Sequence, residues 1–346
     1  MDKENLKIQL GIIGMGRMGI THYSIINSHP NVEITAIADT SKLVTRLLNK
    51  YTKAIIYKKF EDMLNSDEVN AILVCTPPHL HYKIIKIAAS KGIHVFCEKP
   101  FTTNILEGKE LAELYNSKGL VNQVGYVNRH NDVFIKTKSF IEEGLIGNVM
   151  RFKSEMFSCT VLKQNNSEGW RSNTSTGGGA LFEMGAHGID LVNYLIGKPD
   201  KVKEASLNKI YSKNVEDSVS ATFLYRDGKS GTLYVNWSDA RYRKPTNKIE
   251  IFGSKGKILV DQHSLKIFLD KENKDYDLTN GWNTLYITDI FKPVQFYLRG
   301  NEFTRQLYEF VDIILEKNVK NKCSFNDGTL TLEVIDQIIK NSNLVN

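Results

Sequence analysis

A glycine-rich segment near the start of the chain constrains the fold more than any other feature. It reads Gly14-Met15-Gly16-Arg17-Met18-Gly19, follows an apolar, β-branched run and opens a helical stretch. Glycines in this setting let a pyrophosphate approach backbone N–H groups at a helix N-terminus. The segment predicts a dinucleotide site that includes Gly14, Gly16, Arg17, Met18 and Gly19. A tight strand-to-helix turn in another α/β fold is the alternative reading.

The remainder of the first 125 residues repeats this alternation of short strands and amphipathic helices. In residues 80–90, apolar side chains recur at helical spacing and Gly92 follows, where a helix commonly stops. Strands are predicted at residues 7–13, 32–38, 71–75, 93–97 and 121–124, and helices at 19–28, 41–51, 80–90 and 104–117. This rhythm indicates an α/β Rossmann domain built on a doubly wound parallel sheet.

The pattern changes after residue 125 to long alternating strands separated by the turn sequences RDGKSG and FGSKGK. Strands are predicted at residues 149–157, 202–210, 217–225, 231–237, 248–252 and 257–260, and helices at 132–143, 302–317 and 328–341. Hairpin spacing of this kind is typical of a large, mostly antiparallel open sheet. In residues 217–225 one predicted face is apolar and the other carries Ser218, Ser220 and Thr222.

The length of 346 residues exceeds that of one ordinary hydrophobic core, so two domains are expected. We predict a dinucleotide-binding Rossmann domain at residues 1–125. A second, α/β domain is predicted at residues 126–346.

Charge and cysteine content narrow the choice of partners and compartment. The 45 basic and 39 acidic residues leave a net charge of +6 without a block of like charges, which argues against a nucleic-acid or membrane partner. Apolar runs are too short for a membrane span, and the first residues contain no apolar signal core. The four cysteines form neither a C-x-x-C pair nor a disulfide pattern. A cytoplasmic location is therefore expected.

Asp39 ends the second predicted strand, 20 residues beyond Gly19. A carboxylate at this position accepts hydrogen bonds from an adenosine ribose and repels a 2′-phosphate, which favours NAD over NADP. The alternative is a turn or cap aspartate before Thr40 and Ser41. Arg17 and Lys42 leave binding of NADP possible.

Two further segments follow predicted strands at the sheet edge where ligands bind. In Thr76-Pro77-Pro78-His79-Leu80-His81, we expect Thr76, Pro77 and His81 to border the cofactor. The two histidines diverge on a helix and have no third ligand nearby, so no metal is predicted. In Glu98-Lys99-Pro100, a buried lysine beside a cationic nicotinamide could meet a substrate hydroxyl. A solvated lysine before a turn is the alternative.

Gly169-Trp170-Arg171 and the later GGGALFEMGAHGID place Glu183, His187 and Asp190 at helical spacing. One helix would align these three side chains on a common face. A histidine held by a carboxylate one turn away suits general acid/base work. A hydrogen-bonded core histidine with acids on the helix face is the structural alternative.

These motifs, in this order, resemble the glucose-fructose oxidoreductase and inositol 2-dehydrogenase (Gfo/Idh/MocA) family. The resemblance covers nearly the whole chain and rests on GMGRMG, Asp39, TPPHLH, Glu98-Lys99-Pro100, the 125–147 stretch and GGGALFEMGAHGID. It implies catalytic roles for Lys99, Glu183 and His187, and a cis peptide bond before Pro100. Position 183 departs from the commoner aspartate of the family. Glu98 and Lys99 are also expected to bind the cofactor, and the candidates for the substrate wall are Asn128, Arg129, Trp170 and Arg171.

The function implied is an NAD(P)-dependent dehydrogenase that transfers hydride between a nicotinamide cofactor and a secondary alcohol of a sugar, sugar derivative or cyclitol. His187 would take the hydroxyl proton, Lys99 would stabilise the alkoxide, and Glu183 would orient His187 or bind a neighbouring hydroxyl. The alternatives are a redox-assisted glycosidase, a non-catalytic dinucleotide-sensing regulator, and a non-redox nucleotide-binding module. The resemblance also implies that the domain at 126–346 binds substrate and mediates oligomerisation, and a homodimer or homotetramer is expected.

Overall fold

The chain folds into two compact units, and the computed structural model describes residues 7–163 and 169–345. The first unit holds the described residues up to His130 together with Pro293–Thr329. The second holds Asn131–Lys292 and the residues from Leu330 onward. The sequence prediction assigned all of residues 126–346 to one domain, whereas the structure returns 293–329 to the first unit.

The first unit contains, within the described residues, a six-stranded parallel sheet in the order β3-β2-β1-β4-β5-β6. Its strands are β1 (Ile8–Ile13), β2 (Val32–Ala38), β3 (Ile55–Tyr57), β4 (Ala71–Val74), β5 (His94–Cys97) and β6 (Asn122–Val124). The intervening helices are α1 (Arg17–Ile26), α2 (Lys42–Tyr51), α3 (Phe60–Leu64), α4 (His81–Ser90) and α5 (Ile105–Ser117). The predicted doubly wound parallel sheet is confirmed.

Strand order and helix caps together place the candidate site. β1 pairs with both β2 and β4, so the order of the strands reverses between β1 and β4. Ligands of open α/β sheets bind outside the carboxyl ends of the strands at such a reversal. Side chains of Ser41 and Asn104 cap the N-termini of α2 and α5, which explains why those helices begin where they do. The carboxyl ends of β1, β4 and β5 therefore lead directly into the three motifs predicted to carry chemistry.

The second unit begins with α6 (Asp132–Glu142) and is built on a sheet in the order β14-β13-β12-β11-β7-β10-β9-β8-β15, nine strands among the residues described. These strands are β7 (Val149–Phe157), β8 (Lys201–Asn208), β9 (Ser218–Leu224), β10 (Ser230–Asn236), β11 (Thr246–Gly253), β12 (Gly256–Asp261), β13 (Ser264–Leu269), β14 (Gly281–Tyr286) and β15 (Ser342–Val345). Apart from the parallel pairs β7–β10 and β8–β15, neighbours run antiparallel, as predicted. Helices α7 (Ala186–Leu195) and α8 (Ile287–Ile290) complete this part of the chain.

The predicted alternation in β9 is present in the structure. Val219 and Phe223 have no exposed surface, whereas Thr222 lies on the opposite face and is half-buried. Aligned through the strand register, that outer face continues across β10 and β7 to β14. At the far edge it exposes Trp282 and Tyr286. The sheet thus has one packed face and one open face that combines aromatic and polar side chains.

Helices α9 (Asn301–Ile314) and α10 (Phe325–Lys340) end the described chain before β15. α9 belongs to the first unit because Leu307, Phe310 and Val311 are fully buried in the same apolar cluster as β1 and Phe96. Phe310 contacts Phe96 edge to face, with ring centroids 6.1 Å apart. The parallel sheet is therefore covered in part by a helix that follows it by almost two hundred residues.

Within the described ranges 7–163 and 169–345, no helix is both long and apolar enough to cross a membrane.

Candidate functional site

The glycine-rich loop has the geometry of a phosphate cradle. Gly14 adopts a φ of +90°, and a Cβ atom there would lie 2.9 Å from the Cys75 carbonyl oxygen. A Cβ on Gly19 would lie 2.0 Å from the Gly14 carbonyl oxygen, so α1 packs directly against the loop. A Cβ on Gly16 would instead meet open space. Two glycines close the turn and the third leaves room for a ligand, and this arrangement fits a dinucleotide pyrophosphate at the start of α1.

Two polar groups border this opening. The Thr76 hydroxyl oxygen is buried at the end of β4 and lacks a hydrogen-bond partner among the described residues. The Asp39 carboxylate accepts hydrogen bonds from the Met15 N–H at 2.7 Å and from the Ser41 N–H at 2.8 Å. A carboxylate has about four acceptor positions, so Asp39 can still accept from a ribose hydroxyl. These residues fit the adenosine and pyrophosphate parts of a dinucleotide.

The structure corrects the predicted role of His81. Its side chain has no exposed surface, and its Nδ1 and Nε2 atoms lie 3.0 Å from the Pro100 carbonyl oxygen and 2.8 Å from that of Thr76. Burial lowers the pKa of His81, although hydrogen bonds to the two carbonyls oppose this shift. A fully enclosed imidazole cannot contact a ligand, so His81 ties the β4 edge to the β5 edge. Pro77, half-buried, stays a predicted cofactor neighbour.

Glu98 and Lys99 follow β5, and the peptide bond between Lys99 and Pro100 is cis, which confirms that prediction. The Glu98 carboxylate lies 2.6 Å from Nε2 of His22 in α1 and also accepts from the Lys99 N–H at 3.3 Å. Burial raises the pKa of the Cys97 thiol well above its ordinary value, and the Glu98 charge adds to that shift. The Glu98 side chain keeps only 13% exposure.

Asn128 and Arg129 were predicted to form part of the substrate wall, yet both are buried, at 8% and 3% exposure. Arg129 Nη1 donates to the Lys322 carbonyl oxygen at 2.7 Å and to Asp327 at 2.9 Å. The guanidinium therefore links the two parts of the first unit, the residues up to His130 and residues 293–329. These contacts correct the assignment of Arg129 to a substrate wall, because its charge is already paired inside the protein.

In the second unit, Trp170, Arg171 and Glu183 form one cluster. The Arg171 guanidinium stacks over the Trp170 ring, 4.6 Å from its centroid. Its Nε and Nη2 atoms donate to Glu183 Oε1 at 3.3 and 3.2 Å. Both members of the ion pair keep solvent access, with side-chain exposures of 49% and 20%. The cluster therefore combines an aromatic ring with a charged pair that keeps solvent access.

Glu183 lies in a π-helical turn, Leu181–Gly185, that runs into α7, where His187 is half-buried. π-helical turns occur often at functional sites. The prediction of one face shared by three side chains is wrong for Asp190. It is 1% exposed, and the Thr331 hydroxyl donates to it at 3.5 Å. Asp190 is therefore enclosed by the second unit, whereas Glu183 and His187 keep partial exposure.

Three residues that sequence reasoning missed support these motifs. His22 contacts Glu98 as described above. Glu216, whose pKa is raised by burial, accepts the Leu181 N–H at 2.8 Å and so holds the start of the π turn. Burial lowers the pKa of Arg299, the charge of Arg17 in the glycine-rich loop lowers it further and the charge of Glu98 opposes the shift. No local motif marks any of the three.

A glycine-rich loop at the strand-order reversal of a parallel sheet, with a carboxylate after the second strand, defines a dinucleotide-binding protein. Residues 8–126 match the family described as "Oxidoreductase family, NAD-binding Rossmann fold", and residues 134–259 match the "GFO/IDH/MocA C-terminal domain". The chain belongs to the GFO/IDH/MocA oxidoreductase family, and its first unit carries the NAD-binding Rossmann fold.

Relatives with known names agree with this assignment. The chain is 25% identical to the uncharacterized oxidoreductase YrbE of Bacillus subtilis, over 93% of this chain and 90% of the relative. It is 27% identical to myo-inositol 2-dehydrogenase of Thermotoga maritima, over 73% and 75% of the two chains. The structure of levoglucosan dehydrogenase in complex with NADH shares the fold, with a TM-score of 0.86 at 22% identity, covering 97% of this chain and 96% of that chain.

Proposed function

We propose that this oxidoreductase is a dehydrogenase that acts on a secondary alcohol of a sugar, sugar derivative or cyclitol. The observation that carries the proposal is the Trp170–Arg171–Glu183 cluster, in which Glu183 lies on the turn before His187. An aromatic face beside a few charged groups suits a polyhydroxylated ring, because its C–H face packs on the indole and its hydroxyls pair with the charges. The names of the inositol and levoglucosan dehydrogenases point to the same substrate class.

Each predicted residue receives one task in this proposal. The glycine-rich loop and Asp39 would hold NAD, which would supply the hydride acceptor or donor. His187 takes the proton of the reacting hydroxyl, since an imidazole titrates near neutral pH. Lys99 places a positive charge where the alkoxide develops. Glu183 and Arg171 bind neighbouring hydroxyls, and the first unit serves the cofactor while the second serves the substrate.

The open face of the large sheet supports a further part of the proposal, a homodimer or homotetramer. Tyr234, Trp282 and Tyr286 are exposed there, at 36%, 52% and 56%. Exposed aromatic side chains on an otherwise polar surface are typical of protein interfaces. The four cysteines, all described, are free thiols, which supports a reducing, cytoplasmic location.

The test is a spectrophotometric screen of sugars, cyclitols and sugar phosphates with NAD and with NADP, read at the absorbance band of the reduced nicotinamide. We expect turnover with at least one cyclic polyol. Lys99→Met and His187→Ala should each lower kcat by about 10²- to 10⁴-fold with little change in NADH affinity. Full turnover by folded His187→Ala would remove His187 from the mechanism.

Aryl glycosides in the same assay separate net oxidation from redox-assisted hydrolysis. Release of the aryl alcohol without accumulation of NADH would show a glycosidase that borrows hydride. Failure of every alcohol, with NADH binding intact, would instead favour a dinucleotide-sensing regulator.

A further inference from the structure

The proposed mechanism leaves His22 unused, although this residue is buried beside the candidate site. It lies in α1 and has no exposed surface. Its Nε2 atom is 2.6 Å from Glu98 Oε1, and its ring meets Phe96 edge to face with centroids 5.4 Å apart. An ionised carboxylate only accepts hydrogen bonds, so Nε2 carries the proton and donates. The other ring nitrogen, Nδ1, has no hydrogen-bond partner among the described residues.

Glu98 connects this histidine to the backbone of Lys99. Its second carboxylate oxygen accepts the Lys99 N–H at 3.3 Å, while its own N–H donates to the Val74 carbonyl oxygen at 2.9 Å. Gly125 makes room for the carboxylate, because a Cβ there would lie 3.3 Å from Oε1. The side chain is only 13% exposed, so water competes little for these bonds. One carboxylate thus joins α1 to the peptide that carries the lysine.

The other end of this connection is fixed by the glycine-rich loop. α1 starts at Arg17, and the close approach of Gly19 to the Gly14 carbonyl leaves the helix no room to move toward the loop. His22 lies in this same helix. Two hydrogen bonds, from His22 to Glu98 and from the Lys99 N–H to Glu98, then connect α1 to the backbone of Lys99.

We propose that His22 is a positioning residue that, through Glu98, sets the direction in which Lys99 leaves β5. The phosphate-binding loop and the lysine are then held as one rigid block. This inference rests on the proposed function, in which Lys99 stabilises the developing alkoxide. A histidine that merely filled the core would affect stability but leave the surroundings of Lys99 unchanged.

The test compares His22→Gln with His22→Asn, together with His22→Met. The glutamine amide reaches the position of Nε2, whereas the shorter asparagine amide reaches only that of Nδ1, so both are polar but one should bind Glu98. His29→Met is the matched control. His29 is 5% exposed in the turn after α1, accepts the Asn31 N–H at 3.2 Å and packs edge to face on Tyr308.

The first measurement needs no substrate and no cofactor. The rate at which an amine-reactive acylating reagent modifies Lys99 is followed by peptide mass spectrometry in each folded variant. We expect His22→Asn and His22→Met to change this rate by more than about threefold, because lysine reactivity depends on its surroundings. His22→Gln and His29→Met should stay near the wild-type rate. Fluorescence titration with NADH should show similar affinities throughout.

The second measurement is steady-state kinetics with the best alcohol from the screen. Displacement of a catalytic group by about 1 Å costs about 10²-fold, so His22→Asn and His22→Met should lose about 10- to 100-fold in kcat, with a displaced pH profile. The kcat of His22→Gln should remain within about threefold of the wild-type value, because exchanging one hydrogen bond to Glu98 for another changes the free energy only modestly.

Equal labelling rates and equal kcat for the glutamine and asparagine variants would overturn the proposal and leave His22 a core residue. If His22→Met does not fold, the glutamine and asparagine pair still decides. A labelling difference in a protein that oxidises none of the alcohols would retain the positioning role and refute the proposed reaction. The two ideas can therefore fail separately.

Discussion

Replacing Asp39 by asparagine should change cofactor preference by an amount that the structure lets us approximate. The carboxylate is half-buried and held by the Met15 and Ser41 N–H groups at 2.7 and 2.8 Å. Unit charges about 4 Å apart interact by about 4 kcal/mol at an effective dielectric constant of about 20. Partial exposure and salt screening reduce this repulsion of a 2′-phosphate to about 2 kcal/mol, or roughly 30-fold in affinity.

The wild type should therefore bind NADH about 30-fold more tightly than NADPH, and Asp39→Asn should bring the two affinities close together. The asparagine amide turns one N–H group toward a backbone N–H, which costs about 1–3 kcal/mol locally and weakens binding of both cofactors. The affinity ratio separates the charge effect from this common loss.

Calorimetric titration of both reduced cofactors against the wild type and Asp39→Asn measures that ratio. Asp62→Ala, which removes an exposed carboxylate from α3 in the same unit, is the control and should leave the ratio unchanged. Equal affinities in the wild type, or a ratio unaffected by Asp39→Asn, would refute the electrostatic reasoning.

Three further outcomes are expected. Glu183→Gln should raise KM about tenfold and keep kcat within about threefold, because its carboxylate holds Arg171; a loss confined to kcat would instead make it the partner of the catalytic histidine. Trp237→Phe should lower the free energy of unfolding in urea by about 1.5–3 kcal/mol, since it removes the indole N–H that donates to buried Asp217 at 2.5 Å, and an unchanged unfolding midpoint would contradict this. Burial lowers the pKa of His94 below its ordinary 6.5, so as the pH falls the unfolded chain takes up a proton before the folded chain does. The contribution of His94 to the free energy of unfolding should therefore be fully present above pH 6.5 and be lost as the pH drops toward the folded-state pKa. His94→Asn, which can still accept the Val121 N–H that Nδ1 accepts at 3.0 Å, should flatten this slope in unfolding measured at pH 7.5 and 5.5.

Local patterns predicted most of the regular structure because they record burial directly. Val149–Phe157 was predicted with its observed bounds. The strands Ile55–Tyr57, Ser264–Leu269 and Gly281–Tyr286 were not predicted. The first has only three residues, none fully buried, and the last has an exposed residue at every second position. Such strands form because a neighbouring strand supplies hydrogen bonds, and a pattern within the segment does not show that neighbour.

In the candidate site, too, features formed by neighbouring residues could be predicted from the sequence, and features formed by distant residues could not. The glycine-rich loop could be predicted from the spacing of its glycines, because its geometry depends mainly on residues close together in the sequence. The contact between His22 and Glu98 joins positions 76 apart, and that between Glu216 and Leu181 joins positions 35 apart. Arg129 was predicted to form part of a substrate wall, but its partner Asp327 lies 198 residues away in the sequence. Long-range pairing therefore determined which predicted side chains were free to bind a ligand.

The return of residues 293–329 to the first unit bears on how the protein forms during synthesis. Leu307, Phe310 and Val311 complete the apolar cluster around β1 and Phe96, and Lys322 and Asp327 pair with Arg129. Domains generally fold as units while the chain emerges from the ribosome. The nascent parallel sheet must wait until strands β7 to β14 of the second sheet have been translated, with its α9 side still uncovered. A ribosome-bound chain ending before α9 should therefore expose apolar surface to chaperones even though every residue of the glycine-rich loop has already been made.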